Sequence, residues 1–332
     1  MLHLKKILSI IFMCISIFGI TQDMQFTQFN ATPLYLNPGF TGSTIQHRLT
    51  ANYRNQWAAI PGHYNNVLFS YDYNLAEFNS GVGILFGREQ AGTSKLTTTQ
   101  FGALYSYRFQ LNKKIMIQPG LKFNYIRTGI DMTDLVFNDQ LYTNGTTVES
   151  FFLENTSYID IATGVLLYNE KFWGGLSFNH INQPNQSLTN NESPLYMKLS
   201  AHGGYKFNIV DGNKRNAAKY FNIAFHYKAQ NKYDQLDLGA YYTQEPFVFG
   251  IWYRGLPLIK SYEGILNHDA LAIILGYSIV DYNLNIGYSY DATISRLAAN
   301  SAGSHEISII YEIASKKKKR RKAKFFAPCA KF

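Results

Sequence analysis

Ser177 and His180 stand three residues apart in "GGLSFNH" (174–180), and a serine near a histidine is the raw material of acyl transfer. Gly175-Leu176-Ser177 also begins like a nucleophile elbow. That turn needs glycine where Asn179 stands, and it needs a strand-to-helix turn where this run reads as a strand. On a strand, residues three apart point to opposite faces, so the hydroxyl and the imidazole are not expected to meet. The eight histidines lack paired metal-ligand spacing; His47, His180, His202 and His226 fall in strand-like runs and read as wall or girdle residues. Gly81, Gly83 and Gly87 in "GVGILFG" lack a dinucleotide fingerprint and read as a strand with a smooth face. No catalytic residue, metal ligand or cofactor is expected, and the chain reads as a non-enzyme.

A second stretch carries charge. Lys316, Lys317, Lys318, Lys319, Arg320, Arg321 and Lys322 are consecutive, and Phe325 and Phe326 follow. Seven adjacent cations repel one another and await an acidic surface. What that surface is depends on the compartment. Lys5 and Lys6 precede an apolar run from Ile7 to Ile20, too short for a spanning helix and suited to a secretory signal, with cleavage expected near residue 21. The formal net charge of +9 is then misleading. Setting aside the two signal cations and the nine from Lys316 onward leaves 20 basic against 22 acidic residues, so no nucleic-acid partner is expected. Cys329 is the one cysteine left after cleavage, so no internal disulfide holds the fold.

The elements that must position these groups are strands. In "IQHRLTANYR" (45–54), Ile45, Leu49, Ala51 and Tyr53 share one face, and Gln46, Arg48, Thr50, Asn52 and Arg54 share the other. Phe101, Ala103, Tyr105, Tyr107 and Phe109 oppose Gln100, Ser106 and Arg108; Phe221, Ile223, Phe225 and Tyr227 oppose Asn222, His226 and Lys228. A barrel in lipid needs this alternation, apolar outward and polar toward a lumen. A secreted sandwich would alternate too, so the links decide. About fourteen segments of strand length occur, an even number. From the second strand on, short links such as 111–114, 169–171, 244–246 and 280–281 alternate with long polar ones such as 128–156, 182–195, 255–268 and 293–303. The expected fold is an all-β transmembrane antiparallel barrel of about 14 strands, with short periplasmic turns, longer extracellular loops and both termini periplasmic.

Six stretches, in order, resemble motifs of the PorP/SprF family of type IX secretion outer-membrane proteins. They are "YLNPGFTG" (35–42), "YRNQW" (53–57), "FNDQ" (137–140), "YIDIATGVLLYNEKFWGGLSFNHINQPNQSL" (158–188), "KLSAHGGYKF" (198–207) and "GSHEISIIYE" (303–312). The resemblance implies a non-enzymatic barrel in the outer membrane of a Gram-negative bacterium, which assists secretion or surface attachment of cargo such as adhesins. It also implies coupling to periplasmic ring or peptidoglycan-binding components. The basic tail is outside the shared pattern.

The chain thus divides into a signal peptide (1–21), an N-terminal periplasmic or lumenal segment (22–43), a barrel (44–314) in contact with outer-membrane lipid, and a basic periplasmic tail (315–332). A fourteen-stranded lumen is wider than the eight-stranded kind that side chains fill, so it needs a filler or stays wet. Residues 25–42 hold Phe26, Phe29, Tyr35, Leu36, Asn37, Pro38 and Phe40, and with Pro33 and Pro38 they read as neither helix nor central strand. They are expected either to pack in or under the barrel or to form a docking surface. The tail, Lys316–Lys322 with Phe325 and Phe326, is expected to tether a partner. A passive solute channel is the alternative function, and an outer-membrane hydrolase a weaker one.

Overall fold

The computed structural model describes residues 23–131, 155–189, 191–210, 217–256, 261–262, 265–266, 268–294 and 302–314. Fourteen antiparallel strands close into a barrel. The first seven are β1 (His47–Gln56), β2 (Tyr64–Leu75), β3 (Ser80–Ala91), β4 (Leu96–Tyr107, resuming as Phe109–Gln110), β5 (Met116–Gly129), β6 (Thr156–Tyr168) and β7 (Phe172–Asn179). The rest are β8 (Lys198–Val210), β9 (Lys219–Gln230), β10 (Tyr233–Gln244), β11 (Phe247–Gly255), β12 (His268–Ile279), β13 (Leu284–Thr293) and β14 (Ser304–Ile313). Each strand pairs with the next, and β1 closes the ring against β14, His47 opposite Ile313 and Gln56 opposite Ser304. No helix among the described residues is long and apolar enough to cross a membrane.

Period-two patterning produces this wall. Along β5, Gln118, Lys122 and Asn124 are buried toward the lumen, while Leu121, Phe123 and Tyr125 between them are exposed outward. The same parity places Arg48, Thr50, Asn52 and Arg54 of β1 inside, with Leu49 and Tyr53 outside, as the alternation predicts. In water such a continuous band of exposed Phe, Tyr, Ile and Leu would be costly; facing hydrocarbon it is the stable arrangement.

The barrel has two unlike ends. One carries residues 76–79, 111–115, 169–171, 245–246 and 280–283 as links, and is the turn end. The other, the loop end, carries the links 180–197 and 256–267. The expected alternation of short and long links is not strict. Asn231 and Lys232 alone join β9 to β10 at the loop end, because Asn231 adopts φ 53°, which a two-residue hairpin requires.

Candidate functional site: a plugged lumen and its mouth

Residues 24–44 lie inside the barrel. Pro33 and Pro38 do not keep this segment out of helix, as the sequence suggested. Each instead opens a turn, the α-helical turn Pro33–Leu36 and the 3-10 turn Pro38–Phe40, where a proline's missing N–H costs nothing. A further 3-10 turn covers Phe29–Ala31. Phe26, Phe29, Leu34, Leu36 and Phe40 are all buried and belong to one apolar cluster inside the lumen. Phe29 packs edge-on against Trp252 of β11, centroids 4.9 Å apart, and Phe40 lies 5.8 Å from Trp173 and 5.7 Å from His202.

Near the turn end the plug is held by backbone. The Asn37 Oδ1 accepts from Gly39 N–H at 2.7 Å, and its Nδ2 donates to the Val165 and Leu176 carbonyls, each at 3.1 Å. Ser106 Oγ and Gln118 Nε2 both donate to the Thr41 carbonyl at 2.6 Å, and Arg108 donates to that of Gly42 at 2.9 Å. Such closeness needs bare wall. A Cβ added to Gly81 would stand 2.2 Å from the Thr41 oxygen, and one on Gly164 would stand 2.2 Å from Asn37 Oδ1. The smooth face of "GVGILFG" therefore faces inward and seats the plug.

Toward the loop end the contacts turn ionic. Thr27 and Gln28 donate their backbone N–H groups to the Glu306 carboxylate at 2.7 and 3.2 Å. Thr27 Oγ1 also donates to Asp291 Oδ2 at 2.6 Å and accepts from Arg54 and Arg254. Both guanidiniums pair with Asp291, at 2.7 and 3.1 Å. Sequence parity marks these side chains as lumenal, but it cannot say that charges on β1, β11, β13 and β14 converge on one threonine. Their partnership follows from the strand order around a closed ring.

The mouth is more open. A vestibule of about 950 Å³ sits above Asp23, Met24 and Tyr35, with Glu89, Lys122 and Tyr158 on its wall. Asp23 accepts from Lys198 and lies 3.0 Å from His180 Nε2, whose Nδ1 is 2.9 Å from Asp160. Burial opposes both charges. Even so, His180 and Lys198 hold the Asp23 carboxyl well below the usual carboxylate range, and Asp23 and Asp160 push the His180 imidazole up to about 9.

The expectation that Ser177 and His180 face opposite ways is overturned. β7 ends at Asn179, and His180 turns inward at φ 56°. The two still do not pair: Ser177 Oγ donates to the plug's Leu36 carbonyl at 2.9 Å, and His180 is engaged by two aspartates. His202 and His226 also face the lumen, while His47 sits outside against Tyr71.

The direction of the plug was not expected. Thr44 meets Glu312 at the turn end, and Asp23 meets Lys198 at the loop end. The chain therefore runs down the lumen from loop end to turn end before β1 begins. Ile313 ends at the turn end, so the described chain does not have both ends on the turn side. The basic tail and "FNDQ" (137–140) lie outside the described residues. The other resembling stretches meet at the plug, supplying Asn37, Arg54, Gly164, Ser177, His202 and Glu306 to its contacts.

A family model described as type IX secretion system membrane protein PorP/SprF matches residues 19–311. No curated protein matches the chain. Among solved structures, the chain is similar to the CymD monoaromatic hydrocarbon channel, at 13% identity and a TM-score of 0.43, covering 90% of this chain and 96% of that one. The toluene transporter TodX of P. putida is 10% identical at 0.45, with coverages of 84% and 93%. CdiB from Acinetobacter baumannii is 7% identical at 0.46, with 81% and 60%. At these identities, nothing about what those proteins carry passes to this chain.

Proposed function

The chain belongs to the type IX secretion system membrane protein PorP/SprF family, and from that premise we propose that it is a non-enzymatic outer-membrane component which helps secrete or surface-anchor cargo such as adhesins. The filled lumen carries this reading over that of a passive solute channel. Residues 24–44 bind the wall through backbone and charge at both ends, which suits a rigid platform. A large steady conductance from the intact protein in planar bilayers would favour the channel. The expected result is a closed barrel that opens, by roughly tenfold or more in conductance, when 25–42 is deleted, since fourteen strands enclose more space than the eight whose side chains fill their own lumen.

The turn end is the periplasmic side in this reading, as is usual for outer-membrane barrels. Thr93→Cys at the loop end is then expected to label on intact cells and Asn112→Cys at the turn end is not. The tail leaves β14 on the periplasmic side, where Lys316 to Lys322 with Phe325 and Phe326 tether an acidic periplasmic partner such as a ring or peptidoglycan-binding component. Truncation at Ser315 is expected to leave a heat-modifiable barrel that no longer co-purifies with that partner. Full partner recovery and normal cargo display from the truncated protein would remove the tail from the proposal.

A further inference from the structure

Charged side chains on the strands are sorted by face. Arg48, Arg54, Arg108, Lys122 and Arg254 are all buried toward the lumen. Two arginines near the loop end break the rule. Arg88 on β3 and Arg127 on β5 take the outward parity, and both are exposed. Register sets them level: Arg88 is opposite Thr99 of β4, and Thr99 is opposite Arg127. Two strand spacings hold their backbones about 9–10 Å apart. Neither makes an ion pair with a described carboxylate.

What lies beneath them is also in register. Toward the middle of the barrel the next outward row is Phe86, Phe101 and Tyr125, exposed by 41, 53 and 54%. Below it stand Ile84, Ala103 and Phe123. A cationic rim therefore overlies an aromatic shelf and then a mainly aliphatic wall. This order mirrors a lipid lying against the barrel, from headgroup through interface to acyl chain.

We infer that Arg88 and Arg127 form a binding site for the phosphorylated headgroup of a glycolipid in the outer leaflet, with its interfacial part on the Phe86–Phe101–Tyr125 row and its acyl chains against Ile84, Ala103 and Phe123. An arginine on the lipid face is unfavourable at the bilayer midplane and tolerated near the interface, which is where these two sit, within three residues of their strand ends. A guanidinium is always charged and presents a planar fork that matches phosphate oxygens. No carboxylate among the described residues pairs with either guanidinium, and the membrane offers phosphate at this depth. Two forks at this spacing fit a sugar headgroup with more than one anionic or hydroxyl acceptor better than a single phosphodiester. The site rests on the reading that the loop end faces outward.

The test uses full-length protein extracted from outer membranes in mild detergent, with bound lipid measured by native mass spectrometry and phosphate assay. Wild type is expected to retain a phosphorylated glycolipid. The double variant Arg88→Gln/Arg127→Gln should retain at least tenfold less while staying heat-modifiable, and Lys113→Gln in a turn at the opposite end should retain it fully. Equal retention by the double variant, or no lipid on wild type, overturns the site. Retention of phospholipid alone overturns the glycolipid assignment. Failure of the topology reading is separately visible, because Thr93→Cys would then not label on intact cells.

Discussion

Arg54 and Arg88 stand on strands of the same barrel, each near the loop end, on opposite faces. Arg54 is 1% exposed and touches Thr27 of the plug, Glu306 and Asp291. Arg88 is exposed and has no described ionic partner. The difference lies in who provides the counter-charge. Inside, water is displaced by the plug, so every charge must be met by protein, and a cation on the wall becomes a clamp on whatever fills the lumen. Outside, the solvent is a membrane that brings its own anions at headgroup depth, and the protein need only place its cations at the right height.

The comparison breaks hardest at Arg54. Arg54→Leu leaves Glu306 without its described cationic partner and halves the cations around Asp291. Removing one partner of a buried ion pair costs about 3–5 kcal/mol, because the other charge stays buried. The expected outcome is a large drop in the urea midpoint of heat-modifiable mobility, together with unsteady conductance as Thr27 and Gln28 lose their hold. A midpoint unchanged within error would show that water already reaches the network.

Much of this contrast could be read from the sequence. Period-two alternation assigned Arg48 and Arg54 to the lumen and Tyr53 to lipid, because one face of each strand must satisfy hydrocarbon whatever the fold's details. The aromatic density of 25–42 likewise showed that the segment needed shelter. Its course was hidden. Whether Asn37 reaches the Val165 carbonyl depends on Gly164 and Gly175 facing it from β6 and β7, a match between segments more than a hundred residues apart. The entry from the loop end was hidden for the same reason, since the Asp23 partners His180 and Lys198 come together only once the ring has closed. Pro33 and Pro38 misled because a proline excludes itself from the interior of a helix, not from its first turn.

Between the two arginines in strength stands the mouth, where His180 joins the plug's Asp23 to the wall's Asp160 beside the open vestibule. Its raised pKa, about 9 against an ordinary 6.5, means that its stabilisation is fully present below about pH 6.5. That contribution is lost as pH rises through about 9. The depressed carboxyl of Asp23 sets the other limit, with its contribution present above about pH 4 and lost as pH falls further. His180→Asn keeps a residue type that tolerates φ 56° and removes the charge. The wild-type advantage over this variant should be on the order of 2 kcal/mol near pH 6 and should fade by pH 10. A difference that stays flat across that range would mean that the imidazole is held neutral.

The smallest effect is expected where the comparison is sharpest. Arg88→Gln removes the same residue type as Arg54→Leu, at a similar height, from a position with no described ionic partner. In lipid-free detergent micelles no described carboxylate depends on that charge, so the urea midpoint should move by no more than about 0.5 kcal/mol, the usual range for a surface position. Glutamine keeps much of the aliphatic stem that lies along the wall, so lost packing should not mimic lost charge. Arg127→Gln should behave alike, and the two should add, since neither guanidinium leans on the other. A loss approaching that of Arg54→Leu would mean that a protein carboxylate pairs with the outer arginines after all. The rule that lumenal charges are met by protein and outer ones by membrane would then fail on its own clearest case.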